Sequence, residues 1–189
     1  MARDSQTAPD GAVFRDLNGN GVMDPYEDAR LTPEQRTDDL LPRLSLAEKA
    51  GLLFHTVISA LPAGDHDSMD HFLGGTHREV VGSRMINHFN LGRLGDPVET
   101  AAWHNALQEL AAAAPHGIPI TFSSDPRHGF AENEGMAFRA GAFSEWPEFL
   151  GLAALGDPDL VRSFAETVRE EYLAVGIRAA LHPQVDLAT

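Results

Sequence analysis

The chain has 189 residues, 43% hydrophobic and 7% aromatic, which is enough to bury one sizeable core. Its 28 acidic residues against 14 basic ones give a net charge of −14, which argues against nucleic acid and against an anionic membrane surface as partners. Cysteine is absent, so disulfides and thiolate metal sites are excluded.

Residues 1–12 are polar and rich in small side chains, and read as a loose tail. They contain no apolar core of a secretory signal, so the cytoplasm is the default compartment, with a removed signal peptide as the alternative. No apolar run approaches the roughly 20 residues needed to span a bilayer. Residues 14–28 read as a polar loop. Thr32-Pro33-Glu34 is a helix start, with Thr32 as N-cap and Pro33 at the first helical position. Ser45 and Glu48 form the S-x-x-E capping box of a second helix, expected to run through LAEKAGLLFHTVISA.

Residues 61–82 read as a Gly-, His- and Asp-rich loop, and residues 85–94 as a weak strand. Asp96-Pro97 opens a helix to about residue 114, with Trp103, Ala106, Leu107, Leu110 and Ala114 on one stripe. Residues 118–122 form a strand. Asp157-Pro158 opens a helix with Leu160, Val161, Phe164, Val168 and Tyr172 on one face, ending at Gly176. Residues 177–181 form the next strand. This alternation predicts a parallel sheet with helical crossovers. About three strands do not close a (β/α)₈ barrel, which needs eight. The fold is therefore either a small open sheet or the leading part of a barrel. The loop of residues 125–148 is long for a compact α/β unit and carries Phe130, Phe138, Phe143 and Trp146, which either stack on sugar faces or pack the loop down.

The stretch DLNGNGVMDPYE places oxygen ligands at Asp16, Asn18, Asn20, Asp24 and Glu27. It also puts Gly21 at the sixth position and the Val22 carbonyl at the seventh. This is the EF-hand loop pattern, suited to Ca²⁺ as a hard cation that takes six to eight oxygens. The flanks are weaker: no entering helix precedes Asp16, and Pro25 lies inside the loop. The alternative is a turn that holds itself by side-chain to backbone hydrogen bonds. Asp65, His66, Asp67, Asp70, His71 and His77 match no helical ligand spacing and read as a solvated surface loop.

Asp125 follows an apolar strand in FSSDPRHG, with Arg127 and His128 beside it. A carboxylate there can accept two hydrogen bonds from sugar hydroxyls, with Arg127 or His128 fixing its orientation. The competing reading is that Asp125 caps the turn before Pro126. No Gly-rich phosphate loop, nucleophile elbow or Ser/His/Asp arrangement is visible.

Taken together, SLAEKAGLL, GIPITFSSDPRHG, FSEWPEFLGLAALGDPDLV and REEYLAVGIRAALHPQVDLA resemble the N-terminal region of glycoside hydrolase family 3, the β-glucosidase-like enzymes. The D-L-N-x-N-G-x-x-D-P-Y-E-D stretch is similar to an extension found ahead of the barrel in some members. The resemblance implies a (β/α)₈ or degenerate barrel and a retaining mechanism, with an aspartate nucleophile and a separate acid/base carboxylate. It also implies a β-linked glucoside or oligosaccharide as substrate, and it places Asp125 where the non-reducing sugar binds. The family's nucleophile and acid/base lie on later segments, and the Arg-Trp-Gly-Arg-like stretch expected just after Asp186 is missing. No catalytic residue is therefore assigned in this chain, and Asp186 takes a positioning or structural role.

The expectation is thus an incomplete α/β enzyme. Residues 1–44 form a helical extension with an EF-hand-like loop, and residues 45–189 the leading part of a barrel that is inactive by itself. Its partner is the missing C-terminal part of the enzyme. The alternatives are a non-catalytic, calcium-stabilised binding module or half of a split enzyme.

Overall fold

The computed structural model describes residues 5–129 and 140–182. Its centre is a four-stranded, all-parallel sheet built from β3 (His55–Ile58), β6 (His88–Leu91), β7 (Thr121–Ser124) and β8 (Ala179–Ala180), which lie side by side in chain order. The other strands form two small antiparallel pairs: β1 (Ser5–Thr7) with β2 (Val13–Arg15), and β4 (Met69–Asp70) with β5 (Gly75–Thr76). Helices α1 (Pro33–Leu40) and α2 (Leu46–Leu52) precede the sheet. α3 (Pro97–Ala112) links β6 to β7, and α4 (Phe149–Leu155) and α5 (Pro158–Ala174) link β7 to β8. The predicted parallel α/β architecture is present.

The helix starts follow from their caps. Ser45 Oγ accepts from the Glu48 N–H at 3.2 Å while Glu48 returns a carboxylate oxygen to the Ser45 N–H at 2.8 Å. Thr32 and Gln35 make the same reciprocal pair ahead of α1. Asp96 and Asp157 cap α3 and α5, each followed by Pro at the first helical position. Gly176 stops α5 with φ of +88°.

The structure corrects four sequence-based expectations. The helix opened by Ser45 stops at Leu52 instead of continuing, and residues 55–58 form the first strand of the sheet, so four strands stand where about three were expected. The β-branched run Thr56-Val57-Ile58 suits a pleated, half-buried surface better than a helix. The N-terminal tail is not wholly loose, because residues 5–7 pair with β2 and Ala8 is buried. The strand expected at 118–122 is shifted to Thr121–Ser124.

The fourth correction concerns residues 61–82, which contain a hairpin and a helical turn over Glu79–Ser83. Asp70 and His77 there are buried rather than solvated. Asp70 accepts from the N–H groups of Ser59 at 2.7 Å and Phe72 at 2.8 Å, with His77 Nε2 at 3.4 Å, so its charge is spent on folding this loop. Among the described residues no group of three or more His, Asp or Glu side chains is arranged to hold a metal.

Side chains alternate across the sheet. One face carries Phe89, Phe122 and Leu91, all buried against the helices; Trp103 of α3 stacks on Phe122 at 5.2 Å, and His104 meets it edge-on at 4.5 Å. Phe164, Val168 and Tyr172 of α5 complete the core. Gln108 locks α3 to the entry of β7: its amide accepts from the Ile120 N–H at 2.9 Å and donates to the Ile120 carbonyl at 2.7 Å. The opposite face carries His55, His88, Asn90 and Ser123, whose positions follow from the parallel register.

Gln108→Ala strands both polar groups of Ile120, and should lower unfolding stability by about 2 kcal/mol in urea titration. An unchanged midpoint would show that the lock adds nothing. Burial also pulls His77, His88, His104, His128 and His182 below the ordinary histidine value of 6.5. A histidine held neutral in the fold refuses a proton that the unfolded chain accepts below about pH 6.5, so stability falls as pH drops through that value. Melting temperature should therefore decrease from about pH 7.5 to about pH 5.5, above the range where carboxylates titrate. A flat or rising profile would mean that these rings charge in place.

Candidate functional site

The site is built where β6 and β7 end. β7 finishes at Ser124, and Asp125 is the next residue, half-buried, with its carboxylate at the carboxyl edge of the sheet. The Asn90 side-chain amide, from β6, donates to Asp125 Oδ2 at 2.6 Å. The backbone of the bend is pinned from two sides, since Ser124 Oγ donates to the Asp125 carbonyl at 2.8 Å and Tyr172 Oη donates to the same carbonyl at 2.9 Å.

Arg127 is almost fully enclosed, 2% exposed. Its Nε donates to Ser124 Oγ at 2.7 Å, and one terminal nitrogen reaches the carbonyls of Leu91 and of Gly92, the latter at 2.8 Å. Burial pulls the guanidinium down to about 10, which leaves it charged at neutral pH. His128, 1% exposed, sits among Phe143, Tyr172 and Phe164, and its Nε2 lies 2.8 Å from Glu171 Oε2. Burial lowers its pKa and prevails over the opposing pull of Glu171. Glu171 also accepts from the Ser144 N–H at 3.0 Å, and the Trp146 N–H donates to the His128 carbonyl at 2.6 Å, so the returning loop is docked on this histidine. Gly129 lies so close to Glu148 that a Cβ would sit 2.2 Å from its carboxylate oxygen.

The structure thus brings Asp125, Arg127 and His128 together at one strand end, with different duties. Asp125 presents a carboxylate at the edge, while Arg127 and His128 lie beneath it and engage backbone and Glu171. Asn90, Tyr172 and Glu171 join the site without a functional assignment from the sequence. Asn90 carried a signal, being an amide inside the apolar strand HFNL; Tyr172 and Glu171 were hidden on a helix whose face reads as core. Phe143 and Trp146 pack inward, on His128 and Phe164. Phe130, Phe138 and Asp186 lie outside the described residues.

The EF-hand-like loop is a second cluster. Asp16 Oδ1 accepts from the N–H groups of Gly19 and Asn20, at 2.7 and 3.1 Å, and Oδ2 from Gly21 at 2.8 Å. Burial opposes charge on Asp16, but these donors prevail and hold its carboxyl below the usual range. Glu27 takes the Leu17 N–H on one oxygen at 2.6 Å and the Asp24 N–H on the other at 2.9 Å. Asn18 and Asn20 turn their NH₂ groups to Asp24 Oδ2, at 2.7 and 2.8 Å, and Arg43 lies 2.9 Å from Asp24 Oδ1. Val22 is exposed between them. The residue types suit a hard cation. A cation here would require the Asn18 and Asn20 oxygens to turn inward and Arg43 to yield Asp24.

No family model matches the chain. Among curated proteins it is 52% identical over 165 residues to the probable β-glucosidase C of Aspergillus oryzae and to the β-glucosidase C of Emericella nidulans; each match covers 87% of this chain and 26% of the relative. It is 45% identical over 195 residues to the periplasmic β-glucosidase/β-xylosidase of Dickeya chrysanthemi, a match covering 98% of this chain and 29% of that protein. The chain spans between a quarter and a third of the length of these relatives. The resemblance read from the sequence therefore holds: over most of its own length, this chain is a homologue of β-glucosidases.

Proposed function

We propose that this chain is the leading part of a (β/α)₈ barrel in a family 3 β-glycosidase, and that it supplies Asp125 as the carboxylate gripping the terminal sugar. The observation that carries this reading is the placement of Asp125. It stands just past a parallel strand, half-buried, with one oxygen held by Asn90 in a chain otherwise homologous to β-glucosidases. Ligands of α/β enzymes lie at this end of the strands. An apolar groove of about 600 Å³ between α4, α5 and β8, lined by Phe149, Leu152, Phe164 and Ile177, supports the barrel reading, because a further helix–strand unit would cover it.

In this reading the complete enzyme hydrolyses a terminal β-linked glucoside or oligosaccharide with retention. A nucleophilic carboxylate and an acid/base act from segments beyond this chain. Asp125 accepts hydrogen bonds from sugar hydroxyls and fixes the ring relative to those groups. Such bonds are charge-assisted and strengthen as the ring distorts. Arg127 and His128 serve the subsite from beneath, one by joining the strand ends and the other by docking the loop that returns over Glu171. Alone, the chain contributes binding groups and no chemistry.

Asp125→Ala in the full-length enzyme should cut kcat/KM on an aryl β-glucoside by at least about 100-fold, lowering kcat as well as raising KM, with little change in melting temperature. Near-normal kinetics in a destabilised protein would instead identify Asp125 as a turn cap. We also propose that residues 16–27 bind Ca²⁺ in a structural role, through Asp16, Asn18, Asn20, Asp24, Glu27 and the Val22 carbonyl. At about 100-fold excess over Kd, Ca²⁺ should stabilise the fold by roughly 2.7 kcal/mol relative to EDTA. An identical melting temperature in both, with no calorimetric heat, would leave the loop as the self-bonded turn.

A further inference from the structure

We propose that Asn90 is the positioning residue for Asp125, held in its working orientation by a one-way hydrogen-bond chain across the inner sheet face from His55 through Ser123. This inference rests on the reading of Asp125 as the sugar-gripping carboxylate.

The chain of contacts is continuous. His55 Nε2 lies 2.7 Å from Ser123 Oγ, which lies 3.3 Å from Asn90 Oδ1, and Asn90 Nδ2 lies 2.6 Å from Asp125 Oδ2. These residues come from β3, β6, β7 and the end of β7, and they share one face because the parallel register places Val57, Asn90 and Ser123 in one row and His55 and His88 in the row below.

The direction of the chain follows from donor and acceptor chemistry. A carboxylate only accepts, so the NH₂ end of Asn90 must face Asp125. That leaves Asn90 Oδ1 toward Ser123, where it accepts the hydroxyl proton at 3.3 Å in competition with the Phe89 carbonyl at 3.4 Å. With its proton so directed, Ser123 Oγ accepts in turn from His55 in the tautomer that carries hydrogen on Nε2. Every donor then points toward Asp125. Chains aligned in this way polarise one another, and the bond to the terminal carboxylate is the one strengthened.

The consequence for binding is geometric. Among the described residues, Asn90 is the only side chain hydrogen-bonded to the Asp125 carboxylate. It takes one lone pair of Oδ2 and fixes the plane of the group, so that Oδ1 and the remaining lone pair face a ligand at a set angle. A subsite that grips two hydroxyls through one carboxylate needs that angle before the sugar arrives. Without Asn90 the carboxylate rotates about its last bond and must be ordered by substrate at each turnover.

The test is a double-mutant cycle on kcat/KM in the full-length enzyme with an aryl β-glucoside. Asn90→Ala should lower kcat/KM about 10-fold in the wild-type background and less than about 2-fold in the Asp125→Ala background, because its effect passes through that carboxylate. Ser123→Ala, which keeps Asn90 but releases its carbonyl, should lower kcat/KM about 3-fold and likewise become silent beside Asp125→Ala. Equal losses in both backgrounds would make Asn90 a structural residue and overturn the inference. A damaging Asp125→Ala with a harmless Asn90→Ala would overturn it while leaving the sugar-binding reading intact. A harmless Asp125→Ala would remove both. In nitrogen–proton spectra of this chain, the Asn90 side-chain amide should resonate downfield of the other amides and return among them in Asp125→Ala. No such displacement would also count against the bond.

Discussion

The architecture of the site depends on one buried cation. Arg127 carries its charge into a setting that lowers its own ionisation, and it stays charged because its donors find Ser124 Oγ and the carbonyls of Leu91 and Gly92. A planar guanidinium can span these acceptors in a fixed fork, which a lysine ammonium cannot. The carbonyls belong to the end of β6 and the hydroxyl to the end of β7, so the side chain staples two adjacent strands just beyond their last ladder bonds. Asn90 and Asp125 therefore meet at a defined distance although they are 35 residues apart in sequence. Removing the staple would take away the buried donor that reaches the carbonyls of Leu91 and Gly92.

The sheet has two chemically different faces, and this division explains where the core and the site lie. The face toward the helices is aromatic and aliphatic, with Trp103, Phe122 and Phe89 in mutual contact. The other face carries His55, His88, Asn90 and Ser123. In an open sheet such a face would be a solvated surface; in a closed barrel it is the interior, filled in layers by side chains from neighbouring strands. His55, Ser123 and Asn90 bond to one another across three strands of this face.

The sequence carried the helices and the order of elements clearly, because capping is local chemistry. Thr32, Ser45, Asp96 and Asp157 each satisfy N–H groups two or three residues on, and the reader needs no tertiary information to see it. Strands were less legible. Residues 55–58 follow a helix with only a short break, and the local signal of their β-branched run is decided by pairing with residues 88–91. The burial of Asp70 was hidden for a related reason. Its acidic, histidine-rich neighbourhood looks solvated, yet its carboxylate is hydrogen-bonded by the backbone N–H groups of Ser59 and Phe72, which the fold brings to it. Of the site, Asp125 was readable from its place after an apolar strand. Asn90 was visible only as an amide inside a strand, because its partner lies across the sheet.

The segment DPRHG gives neighbouring residues different structural duties. Pro126 carries the chain away from the strand after Asp125, and Arg127 turns back beneath it to hold the strand ends. His128 faces inward to Glu171 and a cage of Phe143, Phe164 and Tyr172. Gly129 then passes so near Glu148 that any side chain would collide, and it pairs there with Trp146. Arg127 and His128 are thus spent on fixing the backbone, and Gly129 on letting the returning loop close against it. Asp125 alone keeps its functional group at the edge. Because the bend is fixed by Ser124 and Tyr172 through the Asp125 carbonyl, the carboxylate is not spent on the turn and is engaged, among the described side chains, by Asn90 through Oδ2. This separation of duties within a single residue is why a turn-capping role and a binding role make opposite demands on the carboxylate, and why the geometry here favours the second.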